Sequence, residues 1–215
     1  MRAEFQAELE EVTGLLVAMA DEVRSAMKRA TAALLSADAG IAGGVITGDA
    51  AVNELHKEVE EKVYALLARQ APVASDLRLV VSALHIASDF ERMGDLAKHV
   101  AKTALRRHPA RAVPEELNRI IQDMASVADR IAEKVGQVVA SPTAARAAEL
   151  ERDDDEMDKL RTGLFVILLG SAWRNGVESA VDGALLGRFY ERFADHAVNA
   201  GHRLFFLVTG EILTP

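Results

Sequence analysis

The chain has 215 residues, a formal net charge of −8 and no cysteine. Half of its residues are apolar but only 5% are aromatic, a composition typical of a helix bundle, so we predict an all-α fold. The acidic charge disfavours an electrostatic nucleic-acid binder, and a chain without cysteine has no disulfides, thiolate metal sites or thiol nucleophiles.

The N-terminus and the distribution of apolar residues predict a soluble protein of the cytoplasm. The opening segment MRAEFQAELEEV is too acidic for a signal peptide. No apolar run approaches the roughly 18 residues that a membrane helix needs, and no basic amphipathic stretch indicates an anionic membrane. We therefore expect a cytoplasmic protein without direct membrane insertion.

Three helices are predicted in the first half of the chain. Apolar residues from Phe5 to Leu34 recur at steps of three and four, which predicts a first helix over about residues 3 to 36. Asp38 is a candidate cap for a second helix that runs to about Gln70. Pro72 interrupts the pattern, since proline disfavours the helical state in the residue before it. A third helix is predicted over about residues 73 to 106.

The pattern restarts after a joint at Arg106–Pro114, which holds two of the five prolines. An apolar stripe from Leu117 to Val138 predicts a fourth helix. Ser141-Pro142 has the form of a helix start and opens a fifth helix, which runs to about Trp173. The sixth helix is predicted over about residues 177 to 209 and ends at Gly210.

The motif Glu-Arg-x-x-Asp occurs twice. Asp89–His99 reads DFERMGDLAKH, and Phe189–Asn199 reads FYERFADHAVN one hundred residues later. Weaker matches relate the first helix to the fourth at an offset of 108 and the second to the fifth at an offset of 105. A repeated three-helix unit explains all three matches. We predict two tandem, pseudo-symmetric three-helix bundles over residues 1–107 and 113–212.

Acidic residues four apart recur at matched places in the two halves. They lie on one face of a helix, where they repel by about 0.2 to 0.5 kcal/mol. Solvated acids explain any single pair, but four matched positions indicate a site for a hard cation, which binds several oxygen atoms. The matched positions are Asp49 with Asn53, Glu91 with Asp95, Asp154 with Asp158, and Glu191 with Asp195.

Several neighbouring residues are weaker candidates. His99 lies one turn after Asp95 and is an additional candidate ligand in the first half, as Asn199 and His202 are in the second. Asn53 can bind a metal through its amide oxygen but brings no charge, so we expect the first site to be the weaker one.

The arginines and the C-terminal apolar run have structural interpretations. Arg92 and Arg192 follow the motif glutamates and are expected to form structural ion pairs, for which acids of a neighbouring helix are candidate partners. Leu204–Val208 is apolar on all sides, which indicates burial against the other half or against a second copy of the chain.

No catalytic constellation is found. The chain lacks the Glu-x-x-His motifs of ferritin-like di-iron enzymes, and it has neither a Gly-rich phosphate loop nor a Gly-x-Ser-x-Gly nucleophile motif. We predict no catalytic residue. Two alternatives stay open: a carboxylate-bridged metalloenzyme such as a phosphohydrolase, and a structural scaffold whose acidic face binds nothing.

The stretch Gln70–Arg78, QAPVASDLR, together with Asp89–Asp95 and Tyr190–His196, resembles the PhoU family of phosphate-transport accessory regulators. The resemblance covers nearly the whole chain. It implies two pseudo-symmetric three-helix bundles, frequent homodimers and multinuclear metal clusters of iron, zinc, manganese or magnesium. In the family those clusters are held by Glu/Asp-x-x-x-Asp pairs, which correspond here to the four matched positions. Asn53 departs from the acidic pattern, so full occupancy of the first cluster is not expected.

The resemblance also implies a regulatory role. Such proteins keep phosphate-starvation genes off when phosphate is ample, by linking a high-affinity phosphate ABC transporter to a membrane sensor histidine kinase. Binding to the kinase and to the transporter ATPase is expected to favour the phosphatase state of the kinase. We therefore expect regulation by contact, with no catalysis by the chain itself.

Overall fold

We describe a computed structural model of the chain over residues 2–210, without the side chains of residues 2, 3, 75, 144 and 146–148. These residues contain no strand and form six helices: α1 (Arg2–Ser36), α2 (Ala39–Gln70), α3 (Ala74–Arg107), α4 (Glu115–Ala140), α5 (Ala144–Leu169) and α6 (Gly176–Thr209). The all-α prediction is confirmed. Residues 211 and 212, the last of the second predicted repeat, lie outside the described residues. Within residues 2–210, no helix carries an apolar stretch that could cross a bilayer.

Most helix ends agree with the sequence. The Asp38 carboxylate accepts a hydrogen bond from the Ile41 N–H at 2.9 Å and caps α2, as predicted. The fifth helix differs at both ends, because it begins at Ala144 rather than at Pro142 and ends at Leu169 rather than near Trp173. Ser141 caps the end of α4 instead. The N–H groups of Gly170 and Trp173 bond to carbonyls three residues back, and the Trp173 indole donates to the Gly176 carbonyl at 2.9 Å. These bonds stabilise a turn in place of another helical turn.

The core lies along the apolar stripes of α1 and α4. Burial of these stripes is the main force that orders the bundle, because most helical stability in proteins comes from packing of an apolar face. The whole predicted stripe of α1 is buried: Phe5, Leu9, Val12, Leu16, Met19, Val23, Met27, Ala30 and Leu34. In α4 the buried stripe runs from Leu117 to Val139.

The two halves are related by a pseudo-two-fold arrangement. Helices α1, α2 and α3 pack together, as do α4, α5 and α6, and the halves meet where α1 packs on α4 and α3 packs on α6. Within the part of the chain that the structure describes, α2 and α5 contact only helices of their own half. Asp89 contacts His196 while His99 contacts Phe189, so the matched helices α3 and α6 run antiparallel.

Polar contacts fix one half against the other. The buried Asp182 of α6 accepts hydrogen bonds from Arg106 and Arg107 of α3, both at 2.5 Å. The Thr31 and Tyr190 hydroxyls are 2.6 Å apart inside the core. Buried polar groups stabilise a fold when each has a partner, so these contacts set the register of α3 and α1 on α6.

Candidate metal centre

Four predicted ligands of the second half meet between α5 and α6. Asp154 and Asp158 lie on α5, and Glu191 and Asp195 lie on α6; we call these four residues the α5–α6 carboxylate cluster. The two helices approach closely because Gly187 has no side chain, and a Cβ atom there would lie 2.6 Å from Leu164 Cδ2. The packing therefore brings together the two acidic faces that the repeat predicted.

The carboxylates of this cluster repel one another. The pKa of Asp154 is raised to about 6, first by burial and then by the charges of Asp195, Asp158 and Glu191, in that order of size. Burial followed by the Asp195 charge also raises the pKa of Glu191. The pKa of Asp195 is raised mainly by burial, with Asp158 adding to the rise. A cation that binds beside such a carboxylate stabilises its ionised form and so offsets the repulsion within the cluster.

Among the described residues, Glu191 is the one member of the cluster that forms ion pairs, while the charges of Arg188 and Arg192 also act on Asp195 and lower its pKa against the effect of burial. Arg188 contacts both carboxylate oxygens of Glu191, and the Arg161 guanidinium lies 3.6 Å from Glu191 Oε1. Both arginines lower the pKa of Glu191 against the effect of burial. Within residues 2–210, the side chains of Asp154, Asp158 and Asp195 form no ion pair. The cluster therefore keeps an excess of negative charge.

The cluster supplies oxygen ligands for a metal, but these ligands do not converge on one point. Among the side chains that the structure describes, no group of three or more His, Asp or Glu is arranged so that it could hold a metal ion as it stands. Its donors are all carboxylate oxygens, which suit magnesium, manganese, calcium or iron better than softer ions. Binding would require these side chains to rotate toward a common centre.

The matched site of the first half contains its own cation. Lys98 Nζ lies 2.5 Å from Oδ2 of the buried Asp49 and 3.6 Å from Asp95 Oδ1. The Asn53 amide donates to Asp49 Oδ2 at 3.3 Å. Hydrogen bonding to Asp49 raises the pKa of Lys98, so its ammonium stays charged. Lys98 thus supplies the positive charge beside Asp49 and Asp95, two of the carboxylates predicted to bind a metal.

The space beside Asp49 is also small. The cavity there measures about 20 Å³, which is room for about one water molecule. A Cβ atom at Gly94 would lie 3.3 Å from Val52 Cγ1, so the absence of a side chain at Gly94 allows α2 and α3 to approach closely. Glu91 and Asp95 also pair with Arg92 at 3.5 and 3.3 Å. Each carboxylate of the first-half site therefore contacts a cation of the chain, and little space remains beside Asp49.

The other candidate ligands make different contacts. His99 stacks on Phe189, with ring centroids 5.2 Å apart and an angle of 22° between the planes. His202 Nε2 lies 3.0 Å from Glu151 Oε1, and Asn199 lines a separate cavity between α3 and α6. The run Leu204–Val208 begins with a buried leucine and ends with an exposed valine, so only part of it packs inside the bundle.

Ion pairing of the motif arginines is confirmed for Arg92, but the suggested partners on a neighbouring helix were wrong. Arg92 pairs with acids of its own helix rather than with a neighbouring one. Within residues 2–210, Arg192 has no ion pair. Asp153, which precedes the cluster residue Asp154, is buried and pairs with Arg130 at 2.9 Å and with Lys134 at 2.8 Å, so its role is structural.

Sequence reasoning missed Lys98, Arg161 and Arg188. A signal for Lys98 was available, because it follows Asp95 by three residues and stands where the second copy of the motif has Val198. No comparable signal marked Arg161, which reaches Glu191 from another helix.

Comparisons with known proteins agree with the repeat and the fold. The family profile described as the PhoU domain matches residues 16–104 and again residues 121–204. The "Phosphate-specific transport system accessory protein PhoU homolog 2" of Mycobacterium tuberculosis is 45% identical over 98% of this chain and 99% of its own length. The corresponding homologue of Rhizobium meliloti is 28% identical over 96% of this chain and 87% of its own length.

Solved structures give the same result. The phosphate transport system regulatory protein PhoU from Streptococcus pneumoniae superposes with a TM-score of 0.88 at 26% identity, covering 98% of this chain and all of that one. PhoU from Pseudomonas aeruginosa gives a TM-score of 0.85 at 27% identity, with 96% of this chain covered. The duplicated domain, the full-length identity and the shared architecture together place this chain in the PhoU family.

Proposed function

We propose that this chain is a metal-binding adaptor of a phosphate-specific transport system that negatively regulates phosphate-starvation signalling. It would do so by linking a phosphate ABC transporter to a sensor histidine kinase. The observation that carries the proposal is the 45% identity over essentially full length to an accessory protein of such a system. Identity at this level over both repeats supports a common role more strongly than a shared fold alone.

The α5–α6 carboxylate cluster supports the metal-binding part of the proposal. The residues that would hold the ion are Asp154, Asp158, Glu191 and Asp195. Its donors suit iron, manganese or magnesium, and zinc also accepts carboxylate ligands. A bound cation would supply the positive charge that the three unpaired carboxylates lack. It would thereby join the outer helix α5 to α6, which packs on the other half of the molecule.

Regulation by contact is consistent with the described chemistry. Within residues 2–210 the cluster contains carboxylates and arginines but no nucleophile with an adjacent base. The partners in this proposal are the phosphate-transporter ATPase and the sensor histidine kinase, both met at the cytoplasmic face of the membrane. A homodimer is part of the proposal, because paired copies would present each partner site twice.

Complementation in the organism tests the regulatory role. Deletion of the gene is expected to release expression of phosphate-starvation genes in phosphate-replete medium, and the unaltered chain to restore repression. The Asp154→Asn/Asp195→Asn variant should fail to restore repression. The control variant Asp123→Asn should restore it, because Asp123 is a half-exposed acid on α4 that lies 3.9 Å from Arg119. Unchanged repression in the deletion strain would refute the regulatory role.

A direct assay separates the adaptor from the metalloenzyme. The purified chain, loaded with manganese, iron or zinc, is expected to leave phosphomonoesters intact and to co-purify with the kinase or the transporter ATPase. Hydrolysis that is abolished by Glu191→Ala would favour the phosphohydrolase instead, because contamination by another enzyme does not depend on that residue.

A further inference from the structure

A cleft opens between α3 and α6 where the two Glu-Arg motifs meet. It has a volume of about 270 Å³, and we call it the central cleft. Helix α3 contributes Arg92, Asp95 and His99 to its lining, and α6 contributes Arg188, Arg192 and His196. Three arginines and one carboxylate line the cleft, in a chain whose net charge is −8. Two of these arginines also pair with glutamates outside the lining, Arg92 with Glu91 and Arg188 with Glu191, and Arg192 forms no ion pair within residues 2–210.

The central cleft lies on the pseudo-two-fold axis. Asp89 contacts His196 on one side of it and His99 contacts Phe189 on the other, so the antiparallel helices cross near the motif arginines. Arg92 and Arg192 occupy matched positions, one hundred residues apart. The repeat therefore places equivalent guanidinium groups on opposite walls of one cleft.

Much of the donor capacity of these arginines is unused. Arg192 has no ion pair within residues 2–210, and Arg92 has only contacts of 3.3 and 3.5 Å with acids of its own helix. Arg188 contacts Glu191 through a single terminal nitrogen. Each guanidinium carries five N–H donors in a fixed planar fork, so donors remain available for a ligand. The Arg92 side chain is 60% exposed and that of Arg188 is 50% exposed, which leaves both accessible.

One wall of the cleft is apolar. His99 stacks on Phe189, and the buried Leu96 lies beneath them. His196 bonds to Asp89 through Nδ1 at 3.0 Å, while its other ring nitrogen has no partner among the described residues. A concave surface whose lining holds more cations than anions, next to a low-dielectric wall, concentrates the electric field on an anionic ligand.

We propose that the central cleft binds a tetrahedral oxyanion of the phosphate class, held by Arg92 and Arg192 from opposite walls and by Arg188 from the rim. Guanidinium forks match the spacing of phosphate oxygens and bind them with paired charge-assisted hydrogen bonds. The volume of the cleft suits a single phosphate or phosphoryl group better than an extended chain. This inference goes beyond the proposed function, because it gives the adaptor a ligand site of its own that needs no metal.

Calorimetry with inorganic phosphate tests the site. The full chain is titrated at fixed ionic strength in the presence of a chelator, so that failure of the metal proposal cannot affect the result. We expect saturable binding that becomes at least tenfold weaker in the Arg92→Gln/Arg192→Gln variant. The control is Arg119→Gln, at an arginine whose side chain is 93% exposed and lies on α4, and this variant should bind as the unaltered chain does.

A second arm identifies the source of the phosphate group. Co-sedimentation with phosphatidic acid vesicles is measured with the unaltered chain and the same two variants, and it is compared with phosphatidylcholine vesicles. Loss of vesicle binding in Arg92→Gln/Arg192→Gln, without binding of free phosphate to any variant, supports the site with a lipid headgroup as its ligand. Circular dichroism checks that the double variant is folded. We expect it to fold, because the side chains of Arg92 and Arg192 are both exposed. If neither arm depends on Arg92 and Arg192, the proposal is overturned.

Discussion

Lys98 Nζ lies 2.5 Å from Asp49 Oδ2 and occupies, in the first half, the place that a cation would need. The matched position in the second half is Val198, which carries no charge. The two halves therefore differ in how the repulsion among their clustered carboxylates is offset. The first neutralises its carboxylates with a lysine of the chain, and the second leaves three of its four without an ion pair.

Substitution of Lys98 tests the internal ion pair. Lys98→Ala should lower the free energy of unfolding by about 1 to 3 kcal/mol, because Asp49 would then be buried without its charged partner. Urea unfolding at neutral pH measures the change. Lys57→Ala is the control, since that side chain is 66% exposed and its nearest acid is 3.8 Å away, and we expect a change within about 0.5 kcal/mol. Equal effects of the two substitutions would contradict a special role for Lys98.

The first half should be convertible into a metal site. Asn53→Asp combined with Lys98→Val restores the acidic pair on α2 and removes the internal cation, so the site then resembles the second half. Made in the Asp154→Asn/Asp195→Asn background, this double substitution should confer binding of manganese that the background lacks. Isothermal titration calorimetry detects the gain. An unchanged titration would mean that Lys98 is not what keeps metal out.

The raised pKa of Asp154 predicts a pH dependence in metal-free protein. Its pKa rises from an ordinary 3.8 to about 6 on folding, so the folded state binds a proton more tightly than the unfolded state does. The free energy of unfolding should therefore fall as pH rises between these two values. Asp154→Asn removes this fall and should stabilise the chelator-treated protein at pH 7 by about 1 kcal/mol, after allowance for solvent screening of a half-buried group.

Denaturant unfolding between pH 4.5 and 7 checks this sign. Asp153→Asn is the matched control on the adjacent residue. It should destabilise the protein, because Asp153 is buried and paired with Arg130 and Lys134. If Asp154→Asn also destabilises the protein, then the ionised Asp154 carboxylate contributes to stability and is not destabilised by its negative neighbours.

Much of this molecule could be predicted from the repeat. The apolar spacing of α1 and α4 requires a buried stripe on each, and the structure buries those residues. Spacing also placed Asp154 with Asp158 on one face of α5 and Glu191 with Asp195 on one face of α6. That those two faces meet depends on packing at Gly187, which spacing alone does not determine.

The partners of the carboxylates were harder to predict. Helical spacing relates Lys98 to Asp95, but its contact with Asp49 crosses from α3 to α2. Long side chains such as those of Lys98 and Arg161 reach several helical positions, so their partners depend on the packing of neighbouring helices. The end of α5 was missed for a local reason, because the turn after Leu169 is held by the Trp173 indole.

The most direct test of the account is metal content in the second half. The unaltered chain and the Asp154→Asn/Asp195→Asn variant are dialysed against the same dilute manganese, iron or zinc buffer, and metal per chain is measured by elemental analysis. We predict stoichiometric metal in the unaltered chain and its loss in the variant, with Asp49→Asn leaving the content unchanged because Lys98 excludes metal from the first half. Equal metal content in the unaltered chain and the double variant would contradict the central claim that the α5–α6 carboxylate cluster binds the ion.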